Sequence, residues 1–177
     1  MTLAFRTQIE GKLTHFIEKI WACLYKDTNE IPIIYFNEIV ISYIDGAEFV
    51  KAKRNGNSKK HTIRKDKGNR WKAGNDIHFV INNRTKKRFQ FAPKIQVVTV
   101  QIFEIKYKVL KEETVISIYI DKIFKGKVIL VNCKIKESSI AVDIIAANDG
   151  FDSTNDFLEW FSDDFEGKII HWTNLKY

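Results

Sequence analysis

Gly56-Asn57-Ser58-Lys59-Lys60-His61-Thr62-Ile63-Arg64 couples a glycine-containing break to a short run whose reading decides the fold. Gly56-Asn57 ends whatever precedes it. His61–Arg64 reads as a short strand, in which Thr62 and Arg64 project to one side and His61 and Ile63 to the other. Ile63 then belongs to a core, and Arg64 faces a cleft. A guanidinium suits a cleft because its fixed donor fork matches a phosphate or a base edge; an Arg paired with a C-terminal acid fits equally. Lys59 lies three residues from Thr62, so a continuous strand would turn the two apart. They converge only if the chain bends near Ser58–Lys60, which the upstream Gly56-Asn57 permits. Otherwise Lys60 takes the Thr62 side.

Outward from this stretch, Val, Ile, Phe, Tyr and Thr dominate, broken by short Gly/Asn/Lys turns and only two prolines, as in a β protein. Leu3-Ala4-Phe5 reads as a first strand. Leu13, Phe16, Ile17, Ile20, Trp21 and Leu24 recur at three- and four-residue steps, which predicts a helix over 13–24. Ile33–Phe36 and Ile39–Tyr43 read as a hairpin, while Ala47–Lys53 carries no decisive period. Lys65–Lys72 is a charged loop. Ala73-Gly74-Asn75 is a turn into a strand over Asp76–Asn82, with Ile77, Phe79 and Ile81 on one face. After the basic turn Asn82–Arg88 comes a long strand, Ile95–Lys108. Val115–Ile120 and Val128–Val131 follow, around a turn at Lys125-Gly126. Ser138 or Ser139 caps a helix through Ala147 that Asp149-Gly150 stops, and Ser153 precedes another that buries Phe157, Leu158 and Phe161. Lys168–Thr173 closes the chain. The class is mainly β with small flanking helices (α+β), and the pattern fits a small barrel or an open sheet.

A length of 177 residues fits one domain. A 45% hydrophobic share with 13 Phe supplies a core, and 29% charged residues match ordinary soluble proteins. Arg6, Glu10, Lys12 and Glu18 interrupt any signal-peptide core, and no run nears the roughly 18 apolar residues of a membrane span. Cys23 and Cys133 are few enough to be reduced thiols. Together these point to a cytoplasmic globular protein with no membrane contact. Residues 51–88 hold 14 Lys/Arg against Asp66 and Asp76, a net of +12 within a total of +7, so the rest sums to −5. Such asymmetry makes a directional field that attracts an anion; a solvated lysine-rich loop is the alternative reading of the same charges. His15, His61, His78 and His171 form no metal-ligand spacing with one another or with the cysteines. Neither a phosphate loop nor a nucleophile elbow is present. No metal and no cofactor are expected, and any enzyme would be a metal-free hydrolase.

The quoted stretch resembles the opening signature of ASCH domains, a glycine turn and a lysine followed by Thr-Ile-Arg. Arg70-Trp71-Lys72-Ala73-Gly74-Asn75-Asp76-Ile77 is similar to that family's next turn and strand. Ala147-Asn148-Asp149-Gly150-Phe151 resembles its late acidic-Gly-aromatic segment, and Ile169-Ile170-His171-Trp172 its final strand. The likeness runs over 56–177, with 1–25 supplying a first strand and helix and 26–55 reading as an insertion, all within one domain, 1–177. It implies a PUA-like ASCH β-barrel with a role in RNA binding. One bacterial branch of the family hydrolyses acylated cytidine with a Lys, a Thr and an acid. These fall on Lys59, Thr62 and Asp149, where that branch has a glutamate, one carbon longer.

Two readings stand. A binding module would hold RNA, another single-stranded nucleic acid or a nucleotide through Lys59, Lys60, Thr62, Arg64, Lys65, Arg70, Trp71 and Lys72. Trp71 would stack on a base, as aromatics do in single-strand sites, or plug the barrel. An amidohydrolase of modified nucleosides would use Lys59, Thr62 and Asp149 as catalytic residues; Asp149 would orient the lysine or simply shape the Asp-Gly turn. A third reading gives residues 26–55 a protein-contact role. The binder requires a continuous basic path into the cleft. The hydrolase requires only a closed pocket in which Lys, Thr and acid meet.

Overall fold

The computed structural model describes residues 1–9, 11–25 and 44–177. The expected hairpin over 33–43 lies outside them. Twelve strands and four helices are formed among the described residues, so the chain is mainly β with flanking helices. The larger sheet is antiparallel and has six strands: β4 (His61–Arg64), β8 (Thr99–Val109), β9 (Glu113–Ile120), β10 (Ile123–Val131), β11 (Lys134–Ser138) and β12 (Phe165–His171). Their spatial order is β11-β10-β9-β8-β12-β4. The sheet curls into a half-barrel. Register shifts at Phe124/Gly126 and Ile129/Leu130 supply the local bend that such curling needs. A smaller sheet joins β1 (Thr2–Ala4), β5 (Asp76–Ile81) and β6 (Phe89–Gln90), with β7 (Ile95–Gln96) also paired to β5. β2 (Gln8–Ile9) and β3 (Lys12–Leu13) make a two-stranded ribbon.

Several expected boundaries move, each for a local reason. The strand expected over 95–108 is two strands in different sheets. Val97 N–H bonds to Asn75 O at 2.8 Å while Val98 N–H bonds to His171 O at 2.8 Å, so the chain changes sheets between adjacent residues. The β9–β10 turn sits at Asp121-Lys122, both at positive φ (52° and 67°), as a two-residue hairpin of right-handed twist requires. Lys125-Gly126 lies instead within β10 at a bulge. The expected helix 13–24 begins only at Phe16 (α1, Phe16–Leu24), because Thr14 is tied to Arg6 O and Thr7 O and Leu13 belongs to β3. The undecided segment 47–53 is helical (α2, Gly46–Arg54). Asp45 caps it by accepting from the N–H groups of Ala47 and Glu48.

The core lies between the half-barrel and the helices. Phe103, Ile105, Ile116, Ile118 and Ile120 point inward from β8 and β9 and are fully buried. α3 (Ile140–Asn148) and α4 (Thr154–Trp160) cover them with Val142, Ile145, Phe157 and Leu158. Ser153 caps α4 through Asp156 N–H, as its sequence suggests, while Ser139 turns its hydroxyl to Lys127 N–H instead of capping α3. Trp21 on α1 is fully buried, and its indole N–H donates to Phe91 O at 3.1 Å. No helix among the described residues is long and apolar enough to cross a membrane.

Candidate nucleotide site

β4 forms because its register against β12 pairs His61 with His171, Thr62 with Ile170, Ile63 with Ile169 and Arg64 with Lys168. Just upstream the chain bends. Lys59 N–H bonds to Lys19 O at 3.0 Å and Lys60 N–H to Asn148 O at 2.8 Å, so two consecutive amides are claimed by two different helices. That bend brings Lys59 onto the Thr62 side. Lys59 and Thr62 both line a recess of about 20 Å³, together with Arg64, Asp149, Arg6 and Trp160.

Within it, Lys59 Nζ donates to Asp149 Oδ1 at 2.5 Å and also to the Asp149 carbonyl. Lys59 is 2% exposed and Asp149 3%. The ammonium lies 4.5 Å from the centre of the Phe16 ring, a cation–π arrangement. Burial pulls Lys59 down to about 8 even though Asp149 pushes it back up. Burial likewise raises Asp149 above the usual carboxylate range, against Lys59, Arg64 and the Ile63 N–H that bonds to it. Both shifts have one cause: a charge in a dry place is costly, and the partner offsets only part of that cost. Thr62 makes no side-chain hydrogen bond among the described residues, so its hydroxyl remains available in the recess. Gly150 completes the turn at φ 87°; a Cβ there would stand 3.0 Å from Lys59 Cδ. Lys19, also buried, braces the same turn by donating to Gly150 O at 2.8 Å and Asp152 Oδ1 at 2.7 Å.

The recess adjoins an outer cleft of about 180 Å³, with which it shares Arg6, Ile9, Phe16, Phe151 and Trp160. A volume near 20 Å³ admits a water molecule or one small substituent but no aromatic ring. A ring therefore fits only the outer cleft. On its other side Arg6 also borders a polar groove of about 450 Å³ that includes Arg64, Asn82 and Asn83, beside the basic 84–88 turn. Arg64 donates to Ala4 O at 2.8 Å and lies over the Phe5 ring, leaving its buried Nε without a partner. The outer cleft itself is mixed in sign, with Asp152, Asp156 and Glu159 alongside Lys12 and Arg6.

Of the residues expected to contact a ligand, Lys59, Thr62, Arg64 and Asp149 come together. Lys60, Lys65, Arg70, Trp71 and Lys72 line none of these cavities. Trp71 is 5% exposed and belongs to the hydrophobic core, with no face open for stacking. The reason is Asp66, whose carboxylate collects the N–H groups of Arg70 and Trp71 and the Lys168 ammonium, folding the charged loop back on the sheet. Arg70 and Lys72 consequently point to solvent, and Lys65 reaches over Phe165. Two cleft residues escaped the sequence reading. Arg6 sits 5.2 Å over the half-buried Trp160 ring. The available signal was Trp160 itself, a tryptophan lying off the Phe157/Leu158/Phe161 face of its helix. No cluster of three His, Cys, Asp or Glu side chains is placed to hold a metal among the described residues. Neither a family model, nor a curated protein, nor a solved structure matches this chain.

Proposed function

We propose that this chain is a PUA-like, ASCH-type module that binds a nucleotide or a short single-stranded RNA segment. The base occupies the outer cleft against Trp160 and directs one exocyclic group into the Lys59–Thr62–Asp149 recess. The phosphate lies in the Arg6–Arg64 groove, and the strand leaves over the 84–88 turn. The observation that carries this reading is the position of Arg6, which walls the recess, the ring-sized cleft and the polar groove at once. An aromatic face beside a guanidinium is the usual means of holding an unstacked base next to its phosphate. The acids of the outer cleft make a phosphate path through it unfavourable, so the strand is assigned to the groove side. Titrating fluorescent single-stranded oligoribonucleotides at several salt concentrations tests the assignment. Trp160→Ala is expected to cost about 1–3 kcal/mol of binding, and Arg6→Ala to flatten the salt dependence by about 0.7 in log–log slope for the phosphate it neutralises. Absence of binding at low salt refutes it.

A second reading has its own support. A lysine that burial brings down to about 8 gives up its proton far more readily near neutral pH than an exposed one, and it lines the same recess as an unengaged threonine hydroxyl. That arrangement suits hydrolysis of the amide of an acylated cytidine: water adds to the acyl carbon, the C–N bond breaks, and the amine leaves with a proton. The shorter Asp149, which holds Lys59 as a cation, opposes it. Incubation with acylated cytidine, followed by chromatography of wild type, Lys59→Met, Thr62→Ala and Asp149→Glu, decides the matter. No turnover by wild type or Asp149→Glu leaves binding alone.

A further inference from the structure

Beside Asp149, outside the cleft lining, lies a second set of buried polar groups that the binding reading does not use. His61 and His171 are both fully buried, with ring centres 5.1 Å apart. His61 Nε2 lies 2.7 Å from the Tyr177 hydroxyl, and Asn148 Nδ2 donates to that same oxygen at 2.9 Å. Because the amide nitrogen only donates, the phenol's own proton is left for His61. If Nε2 carried a hydrogen instead, the phenol oxygen would face two donors and its own proton would have no acceptor among the described residues. His61 Nε2 therefore accepts, and the neutral imidazole carries its proton on Nδ1. Burial, with the positive charges of Lys59 and Lys60 and with His171 beside it, keeps the ring neutral, well below the ordinary histidine range. Burial also holds the Tyr177 phenol protonated, raised well above its ordinary value.

The Nδ1 proton so placed has no hydrogen-bond partner. The nitrogen that carries it stands 3.8 Å from Asp149 Oδ1, the same oxygen that Lys59 grips at 2.5 Å. A buried donor left idle about 1 Å beyond hydrogen-bond distance of a carboxylate calls for an explanation. We propose that His61 is a positioning residue, a reserve donor for Asp149 that takes the carboxylate when the Lys59 ammonium turns to a ligand, with Tyr177 and Asn148 fixing the required tautomer. A shift of about 1 Å brings Oδ1 and Nδ1 to hydrogen-bond distance. Asp149 then keeps a donor when Lys59 leaves, although a neutral one, which lowers the cost of its buried charge without removing it. The inference rests on the reading of Lys59 and Asp149 as the ligand-contacting pair.

The groups that face this exchange are few. Asp149 meets Lys59, Arg64, His61 and the Ile63 N–H; His61 meets His171, Tyr177, Lys60 and Asp149; Lys59 also feels Lys19. His171 is pushed down to about 4 by burial, which keeps it neutral through the neutral and alkaline range, whereas Lys59 unloads near 8. Raising the pH therefore imitates a departing ammonium without any ligand.

Long-range proton–nitrogen NMR of protein labelled at histidine tests this between pH 6 and 9.5. His61 is expected as the Nδ1–H tautomer at pH 6, with its Nδ1 proton moving downfield at the midpoint of the Lys59 titration. Lys59→Met at pH 7 is expected to show the shifted signal outright, and Tyr177→Phe a mixture of tautomers. A His61 proton on Nε2 in wild type, or an Nδ1 signal unmoved while Lys59 titrates, overturns the proposal. Should Lys59→Met not fold, the wild-type titration still decides. Cytidine 5′-monophosphate at pH 6.5 is the separate arm: the same downfield shift on binding supports the exchange in its working setting. The same nucleotide added to uniformly nitrogen-labelled protein reads the backbone amides: no perturbation at Arg6, Phe151 or Trp160 sinks the binding reading, while the pH series still judges the role of His61.

Discussion

Lys59→Met tests whether the site is organised around a buried ion pair. The methionine keeps the apolar stem that lies against Gly150 and removes the ammonium that sits over Phe16. Asp149, 3% exposed, loses its cationic partner, and breaking a buried ion pair costs about 3–5 kcal/mol. The Ile63 N–H, the nearby Arg64 charge and the neutral His61 Nδ1–H within reach remain, which places the expected loss toward about 3 kcal/mol. Its pH dependence has a definite sign. Burial already raises Asp149 above its ordinary 3.8, and loss of Lys59 raises it further. A carboxyl whose folded pKa is raised carries no penalty below its unfolded value, where both states bind the proton. The penalty grows as pH climbs through the folded pKa. The deficit of Lys59→Met against wild type is therefore largest at pH 7 and shrinks toward pH 4. Adding Asp149→Asn removes the stranded charge and is expected to return much of the loss, with a coupling of at least about 1 kcal/mol. Urea unfolding of wild type, both single variants and the double variant, at pH 7 and pH 4.5, measures all of this. Losses that add within about 0.5 kcal/mol, or a Lys59→Met deficit equal at both pH values, refute the argument.

Gly150→Ala is expected to lower stability by about 1–2 kcal/mol through its left-handed backbone alone, read from a urea midpoint. Its methyl also meets Lys59 Cδ, so the Lys59 titration seen by NMR should move as well. Trp71→Ala is expected to cost about 3–5 kcal/mol of stability while oligonucleotide affinity per folded molecule stays unchanged. A thermal melt beside a binding curve separates it from Trp160→Ala, which should do the reverse.

Much of this architecture was legible in the sequence because the relevant rules are local. Alternation placed Ile77, Phe79 and Ile81 on one buried face, and all three are at most 1% exposed. Ser153 announced its helix, and Gly56-Asn57 allowed the bend that joins Lys59 to Thr62. Non-local partners decided the rest. No window reveals that Val97 and Val98 donate to different sheets, or that Thr14 is held by the 6–7 segment and so delays α1. Lys59, Thr62, Arg64 and Asp149, grouped in the sequence by motif order, line one recess in the structure. Arg6 was missed because its role comes from Trp160, far along the chain. Trp71 was misassigned in the stacking reading because proximity to lysines in sequence resembles proximity to a cleft, whereas Asp66 folds that loop elsewhere.

β4 is the terminal strand of its sheet, attached to β12 through pairings such as His61 with His171. The β8–β11 meander, by contrast, closes through short turns. Local contacts form early and distant ones late, so the meander assembles first and the cleft last, when β4 docks. The same asymmetry governs opening of the finished molecule. Detaching one edge strand requires less free energy than unfolding the whole, and it dismantles Lys59, Thr62 and Arg64 together. A ligand held by those residues suppresses that opening by its own binding free energy and leaves the turnover of β9 amides untouched. Amide hydrogen exchange at Thr62 and Ile63 thus becomes a direct scale for occupancy of the cleft, calibrated within the same molecule by a strand that does not respond.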